Sequence, residues 1–133
     1  MVKCYNKLNK LNWWWLNMKM AHITINTQNL DKSISFYQEV VGLSIQNDFR
    51  KTSGMPIVFL ANAEGETSVE LIENKENPYS GDGISIGFHV DNVIEAHEKM
   101  ANAGLNPTPI ISPNPNVKFF FVKDPNGVNI QFI

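Results

Sequence analysis

The sequence predicts an α+β domain made of two consecutive βαβββ modules that together form a concave mixed β-sheet. Three observations support this prediction. The chain has 133 residues, 43% of them hydrophobic and 18% charged, which fits one globular domain. Strand-like alternation and helix-like periodicity follow one another in the same order twice. Corresponding positions of the two passages keep a nearly constant spacing, which is typical of an internal repeat.

The first module is predicted to cover about residues 20–73. Residues 21–27 alternate apolar Ile23 and Ile25 with polar neighbours, which predicts a strand. Asn29 is the expected N-cap of a helix that ends at Gly42, with an apolar stripe formed by Leu30, Ile34, Tyr37 and Val41. Three strand-like runs follow, at residues 43–50, 56–62 and 67–73. A polar stretch at 74–83, with one proline and two glycines, is predicted to be a linker.

The second module, at about residues 84–133, repeats this order. Residues 84–90 predict a strand, and Asn92 with Glu95 forms a capping-box pair at the start of a helix that ends at Gly104. The stripe of that helix contains Val93, Ala96, His97 and Met100. Strand-like runs at 106–111, 117–122 and 128–133 follow, with a turn signature at 124–127.

The spacing of landmark residues indicates a true repeat. The expected helix starts, Asn29 and Asn92, lie 63 positions apart, and the expected helix ends, Gly42 and Gly104, lie 62 apart. The segment 69–72 matches 130–133 at a spacing of 61. Two half-domains of this kind are expected to pair and share one core.

Residues 1–19 differ in composition from the rest of the chain. They hold four lysines, no acid and all three tryptophans, whereas residues 20–133 hold seven basic and thirteen acidic side chains. We interpret them as an N-terminal extension, either a start-site artefact or a packing arm, with a short interfacial anchor as a less favoured alternative. A transmembrane helix needs about 20 apolar residues, so stable membrane insertion is not expected.

Charge and cysteine content exclude other classes. A net charge of −2 argues against nucleic-acid binding, which needs a clustered basic surface. The single cysteine, Cys4, rules out an internal disulfide framework and fits a reducing compartment, so a cytoplasmic location is expected.

Four polar residues occupy repeat-related strand positions with apolar neighbours. His22 corresponds to Ser85, and Glu70 corresponds to Gln131. A polar residue that alternates with large apolar ones points away from the core. The four side chains would converge if that face lines a concave cleft, and would be ordinary exposed residues if it faces solvent. The presence of polar groups in both modules favours the cleft.

These residue types suggest a metal site. Imidazole and carboxylate groups bind divalent ions, so His22 and Glu70 are candidate ligands for Zn, Ni, Mn or Fe, with Gln131 as a weaker, uncharged ligand. His89 lies about 13 Å beyond Ser85 along the strand, too far to share that coordination sphere but able to contact a bound molecule. His97, on the helix stripe, is expected to be a packed, hydrogen-bonded histidine.

Several motifs together resemble the vicinal oxygen chelate superfamily, which contains glyoxalase I, bleomycin-resistance proteins, fosfomycin-resistance enzymes and extradiol dioxygenases. The motifs are the strand that begins at His22, Phe36-Tyr37 with Gly42-Leu43, Glu70 within Ser68–Ile72, and Asp124-Pro-Asn-Gly127. The resemblance covers about residues 20–133 and is strongest to glyoxalase I, or lactoylglutathione lyase. It implies the duplicated fold predicted above and a homodimer whose clefts are built at the two-fold interface.

The resemblance also implies roles for the four polar positions. In glyoxalase I they hold His or Gln, Glu, His and Glu, all bound to the metal, and the last one moves the substrate proton. Here they are His22, Glu70, Ser85 and Gln131, so two of the four match. An amide cannot accept a proton, which leaves Glu70 as the candidate base and makes strict glyoxalase I activity doubtful.

The expected function is therefore to bind or convert a small molecule in a glyoxalase-like cleft, with an atypical catalytic site. The alternative is a metal-free drug- or metabolite-binding protein of the bleomycin-resistance type. Aromatic residues help to line the groove in that branch, and the candidates here are Phe59, Phe119 and Phe121. Alternation places Phe120 on the opposite face of the strand, in the core.

Overall fold

The computed structural model describes residues 18–133, which form eight strands and three helices. The hypotheses about the N-terminal extension concern mainly residues that lie outside the described ones. Within residues 18–133, no helix is long and apolar enough to span a membrane.

The elements occur in the predicted order. The first module contains β1 (His22–Thr27), α1 (Leu30–Ser35, continued by the π-helical turn Phe36–Val41), β2 (Ser44–Asp48), a short helix α2 (Phe49–Thr52), β3 (Ile57–Ala61) and β4 (Ser68–Glu73). The second contains β5 (Ser85–Phe88), α3 (Val93–Asn102), β6 (Ile111–Asn114), β7 (Val117–Lys123) and β8 (Asn129–Phe132). The predicted α+β fold of two βαβββ modules is confirmed.

Each module forms its own four-stranded mixed sheet. The strand orders are β1-β4-β3-β2 and β5-β8-β7-β6. In each sheet the first and last strands of the module pair in parallel, and the remaining neighbours pair antiparallel. The two modules therefore have the same topology, and β1 and β5 lie at equivalent edges.

Helix capping follows the repeat. The side chain of Asn29 accepts a hydrogen bond from the backbone N–H of Lys32, and that of Asn92 accepts one from Glu95. The carboxylate of Glu95 does not complete the predicted capping box, because it pairs with Lys99 at 3.0 Å. α1 continues from Ser35 as a π-helix and ends at Gly42, whose φ of 87° suits glycine.

Most predicted strands are a residue or two longer than those in the structure, and two of them differ for a clear physical reason. Residues 43–50 were predicted to be extended to their end, but Asp48 caps a helical turn that begins at Phe49. Its carboxylate accepts from the backbone N–H of Arg50 and also binds the guanidinium, so local hydrogen bonds override the strand pattern. Residues 106–111 were predicted to be a strand, but β6 begins at Ile111, after two prolines that interrupt ladder pairing.

One continuous hydrophobic core joins the two modules. Its members include residues from α1, from β3 and β4, and from β7 and β8, and the largest fully buried ones are Tyr37, Phe120, Phe132, Leu60, Leu71 and Ile130. The hydroxyl of Tyr37 donates to Asp124 Oδ2 at 2.7 Å, so two of the predicted motifs contact each other between modules. Burial is the main cause that raises the pKa of Tyr37, with Asp124 adding to it, and the hydroxyl stays protonated as a donor.

A second polar contact reinforces the junction between the modules. The hydroxyls of Thr27 and Ser33 lie 2.7 Å apart, and the Asn126 amide bridges them from the turn of the second module. Thr27 and Ser33 are fully buried. Buried polar groups that satisfy one another in this way fix a unique packing arrangement.

Candidate functional site

His22 and Glu70 lie side by side on the face of the first sheet that points away from the core. The parallel register aligns β1 with β4, so that Thr24 lies opposite Glu70. His22 Nε2 is 3.6 Å from Glu70 Oε1. The Glu70 side chain is only 14% exposed and the His22 side chain 42%, so the carboxylate is recessed behind an accessible imidazole.

Thr24 belongs to this site, although the sequence did not single it out. Its hydroxyl donates to Glu70 Oε1 at 2.5 Å. Among the described residues, no protein hydrogen bond reaches the other carboxylate oxygen, Oε2. Thr24 therefore orients the carboxylate and leaves one oxygen available to a bound molecule. Its place two residues after His22, on the same strand face, is the signal that could have identified it.

A row of aromatic rings extends from His22. The imidazole contacts the Phe59 ring edge-to-face at 5.5 Å, and Phe59 contacts the Phe49 ring at 5.9 Å. Phe59 on β3 lies opposite Glu70 on β4. The sequence predicted Phe59 as a lining residue but missed Phe49, because the helical turn that presents it was predicted to be a strand.

The second sheet has an equivalent face with different chemistry. Gln131 lies opposite Phe121, as Glu70 lies opposite Phe59. Gly87 takes the place of Thr24, and a Cβ atom there would lie 3.1 Å from Gln131 Oε1, so the glycine makes room for the amide. Ser85 occupies the position of His22, two residues before Gly87 on the same strand.

The three consecutive phenylalanines of β7, Phe119 to Phe121, point alternately to opposite faces of the strand. Phe119 and Phe121 contact each other at 5.8 Å, and both are half-buried. Phe120 is fully buried and stacks on Phe132 at 5.3 Å. The two half-buried rings share the face of Gln131, and Phe120 belongs to the core.

The remaining two histidines lie elsewhere. His97 Nε2 is 2.9 Å from the carbonyl of Thr108, and its ring packs on Phe120 at 5.0 Å, as a structural histidine does. His89 Nδ1 is 3.3 Å from the carbonyl of Ile133, and His89 lines a cavity of about 650 Å³ at the start of α3. Its role in ligand binding stays a prediction.

His22 and Glu70 thus lie side by side on the first sheet, whereas Ser85 and Gln131 lie on neighbouring strands of the second. Within residues 18–133, no hydrogen bond or ion pair joins His22 or Glu70 to Ser85 or Gln131. In the same part of the chain, no group of three or more His, Cys, Asp or Glu side chains is arranged to hold a metal ion. A spacing of 3.6 Å does allow His22 and Glu70 to share one ion at about 2.0–2.2 Å from each. A single chain could therefore supply two ligands, His22 and Glu70, to one divalent ion.

A duplicated βαβββ fold with polar residues on the outer face of each sheet defines a class of small-molecule-binding proteins and enzymes. Residues 19–132 match the Glyoxalase/Bleomycin resistance protein/Dioxygenase superfamily. The chain belongs to this superfamily.

Individual relatives agree with this assignment. The chain is 29% identical over 130 residues to a lactoylglutathione lyase of Haemophilus influenzae, covering 87% of this chain and 92% of that protein. It is 30% identical over 125 residues to a lactoylglutathione lyase of Salmonella typhimurium, again covering 87% and 92%. The solved structure of the trypanothione-dependent glyoxalase I of Leishmania major is 27% identical, with a TM-score of 0.69, and the match covers 88% of this chain and 86% of that one.

Proposed function

We propose that this protein binds and converts a small molecule in a glyoxalase I-like cleft, with His22 and Glu70 holding a divalent metal ion. The observation that supports this proposal best is the recessed Glu70 carboxylate beside the accessible His22 imidazole, 3.6 Å apart. Relatives named lactoylglutathione lyase point to the same class of chemistry.

Each residue of the cleft has a separate role in this proposal. A bound ion would polarise a substrate oxygen, which is the usual contribution of a Lewis acid. Thr24 holds Glu70 Oε1, and Glu70 Oε2 is available to accept a hydrogen bond or a proton from the substrate. Glu70 is the candidate general base, because Gln131 can only donate or accept hydrogen bonds.

Gln131, which stands where glyoxalase I has a glutamate, argues against the standard glyoxalase I reaction. Moving a carbon-bound proton requires a group that accepts the proton and then returns it. With an amide at Gln131 and a hydroxyl at Ser85, the second sheet offers polar contacts rather than a base or a strong ligand. Phe119 and Phe121 on that face supply apolar contact area for the bound molecule.

We further propose that a homodimer completes the cleft. The two polar pairs lie on separate sheets, and β1 and β5 are edge strands within the described chain. A second copy could place its Ser85 and Gln131 opposite His22 and Glu70. We expect this dimer to be cytoplasmic, as the single cysteine indicates.

A metal-free binding protein of the bleomycin-resistance type is the second candidate. Two protein ligands bind an ion weakly, and aromatic residues accompany the polar pair in both modules. In that case, His22 and Glu70 would contact the bound molecule directly by hydrogen bonds, and the affinity for that molecule would not depend on a metal.

Calorimetric titration with ZnCl₂ and NiCl₂ tests the proposal. The wild type should bind one ion per cleft. Glu70→Gln and His22→Ala should each weaken metal binding at least about tenfold. Removing a group that only hydrogen-bonds to a metal ligand typically lowers the affinity by about that factor, and removing the ligand itself should cost at least as much. Glu98→Gln, at an exposed position on α3, removes the same charge and should leave the affinity unchanged.

Two results would contradict the metal-dependent proposal. One is a wild type that binds no ion although it is folded by circular dichroism. The other is a Glu70→Gln variant that binds metal as tightly as Glu98→Gln does, because the ion would then lie elsewhere.

A further inference from the structure

A cavity of about 420 Å³ lies at the junction of the two modules, and we call it the junction groove. Its apolar walls come from both modules: Ile23, Leu43 and Val69 from the first, and Ile86 and Phe88 from the second. Four consecutive residues of β5, 85–88, line it. Neighbouring residues of a strand point to opposite faces, so a groove that contacts all four follows the edge of the strand.

The edge of β5 along the junction groove has no strand beside it within residues 18–133. In that part of the chain β5 pairs with β8 alone. An uncovered strand edge exposes backbone N–H and C=O groups, and proteins often cover such an edge with a helix or a loop. We therefore expect another segment to cover this edge.

Exposed apolar side chains surround the same groove. Met20, which lines it, is 69% exposed, and Ile84, which precedes the lining residue Ser85, is 57% exposed. Met18, two residues before Met20, is also 69% exposed. Single exposed apolar residues are common in proteins, but several of them around an apolar groove indicate a binding surface. The groove and its rim together suit a partner with large apolar side chains.

A segment with this chemistry precedes the described residues in the same chain. Residues 13–16 are three tryptophans and a leucine, which form the longest apolar run within residues 1–17, and we call them the tryptophan segment. A tryptophan side chain buries about 150–250 Å², and its indole N–H needs a hydrogen-bond acceptor when it is buried. Asn62 and Ser85 offer side-chain oxygens in the lining of the groove.

The described chain begins beside the groove. The Thr67 hydroxyl donates to the carbonyl of Met20 at 2.7 Å, and the backbone N–H of Ser68 donates to the carbonyl of Ala21 at 3.0 Å. These two bonds hold Met20 at the rim of the groove. Whatever precedes Met20 in the chain is therefore tethered at that rim.

The tether is short enough to favour docking within one chain. Leu16 precedes Met20 by four residues and Trp13 precedes it by seven. An extended chain of those lengths reaches at most about 14 Å and 25 Å. A short tether gives a segment an effective concentration of about millimolar at its binding site, so the groove meets its own tryptophan segment before that of a second copy.

Charge favours the same partner. Residues 1–19 carry four lysines and no acid, whereas residues 20–133 carry seven basic and thirteen acidic side chains. Glu66 lines an adjoining cavity that shares Met20, Asn62 and Thr67 with the junction groove. A basic segment is therefore attracted to the acidic body from which it extends.

We infer that the tryptophan segment docks in the junction groove of its own chain and covers the open edge of β5. The N-terminal extension is then an intramolecular partner of the module junction. Docking requires neither a metal ion nor a substrate. Ser85 lines the groove and also lies on the outer face of the second sheet, so the docked segment borders one side of the candidate site.

Tryptophan fluorescence of the full-length protein tests this docking, because all three tryptophans of the chain lie at positions 13–15. We expect the emission maximum of the native protein to lie at a shorter wavelength than in concentrated urea, and acrylamide to quench the emission less. Both quantities should be independent of protein concentration, since the contact forms within one chain.

Two matched double variants separate the groove from the rest of the surface. Met20→Ser/Ile84→Ser removes the apolar rim, and it should shift the emission maximum toward the value in urea and increase quenching. Met55→Ser/Ile94→Ser removes one exposed methionine and one exposed isoleucine elsewhere, and it should leave the emission unchanged. Circular dichroism checks that both variants are folded.

A variant of the tryptophan segment locates the contact without changing the groove. Trp13→Ser/Trp14→Ser/Trp15→Ser should shift the ¹⁵N amide resonances of Ile23 and residues 85–88 and leave those of α3 unchanged. Amide shifts spread evenly over the protein, or absent around the groove, would show that the segment does not dock there.

Docking within the chain is ruled out if the native protein and the chain in urea give the same emission and quenching, or if the two double variants behave alike. An emission maximum that depends on protein concentration would assign the groove to the tryptophan segment of a second copy. A shift to shorter wavelength that appears only with vesicles of anionic phospholipid would make the segment a membrane anchor. Either result contradicts docking within one chain.

Discussion

Replacing Asp124 by alanine should lower the free energy of unfolding by about 3–5 kcal/mol. Asp124 is 5% exposed, and its two oxygens accept four hydrogen bonds, from Tyr37, from the backbone and side chain of Asn126, and from the backbone of Val128. Each buried donor left without a partner costs about 1–3 kcal/mol, and the Tyr37 hydroxyl and Val128 N–H are both buried. The loss should be large because the contact joins the two modules.

Urea denaturation of three variants measures this effect. Tyr37→Phe should cost only about 1–2 kcal/mol, since Asp124 keeps its other three hydrogen bonds. Asp82→Ala, at an exposed position, should change stability by less than about 0.5 kcal/mol. An Asp124→Ala variant that loses less than about 1 kcal/mol would show that this junction does not hold the modules together.

Introducing the two glyoxalase I residues that this chain lacks should strongly raise its glyoxalase activity. Ser85→His/Gln131→Glu adds an imidazole and a carboxylate to the face of the second sheet. Glutamate has nearly the shape of glutamine, and Gly87 leaves room for it. A positioned general base typically contributes about 10²–10⁴-fold to the rate, so isomerisation of methylglyoxal hemithioacetals should rise by about that factor.

The measurement compares glutathione, cysteamine and 2-mercaptoethanol as the thiol, with saturating Ni²⁺ or Zn²⁺. Ser85→His alone should mainly raise metal affinity, and Gln131→Glu alone should mainly raise turnover. A folded double variant that is no more active than the wild type with any thiol would show that Ser85 and Gln131 are not the positions that limit this chemistry.

The sequence predicted those parts of the fold that depend on local signals. Asn29 and Asn92 cap their helices as expected, and Gly42 ends α1 in the left-handed conformation that glycine favours. The alternation of His22 and Glu70 with apolar residues correctly placed both on the outer face of the first sheet. These features depend on neighbours within a few residues, and each has an equivalent in the other module.

The sequence failed where a local bond or a distant contact decides the structure. Phe49 has strand-like neighbours, but the Asp48 cap turns the chain into a helix there. The contact between Thr24 and Glu70 joins residues 46 positions apart, and periodicity says nothing about which oxygen a hydroxyl will reach. Periodicity likewise does not say whether the four polar positions converge, since His22 and Glu70 lie on one sheet and Ser85 and Gln131 on the other.

Paramagnetic Co²⁺ added to ¹⁵N-labelled protein is the sharpest test of the proposed metal site, because it locates a bound ion by the amide resonances that broaden first. The amide resonances of His22, Thr24 and Glu70 should broaden before all others, and Glu70→Gln should abolish the effect. Broadening of Ser85 and Gln131 in the same titration would identify them as the second wall of the cleft. Broadening that begins around other acidic groups, such as Asp91 and Glu95 at the start of α3, and spares residues 22, 24 and 70 would show that His22 and Glu70 do not hold the ion.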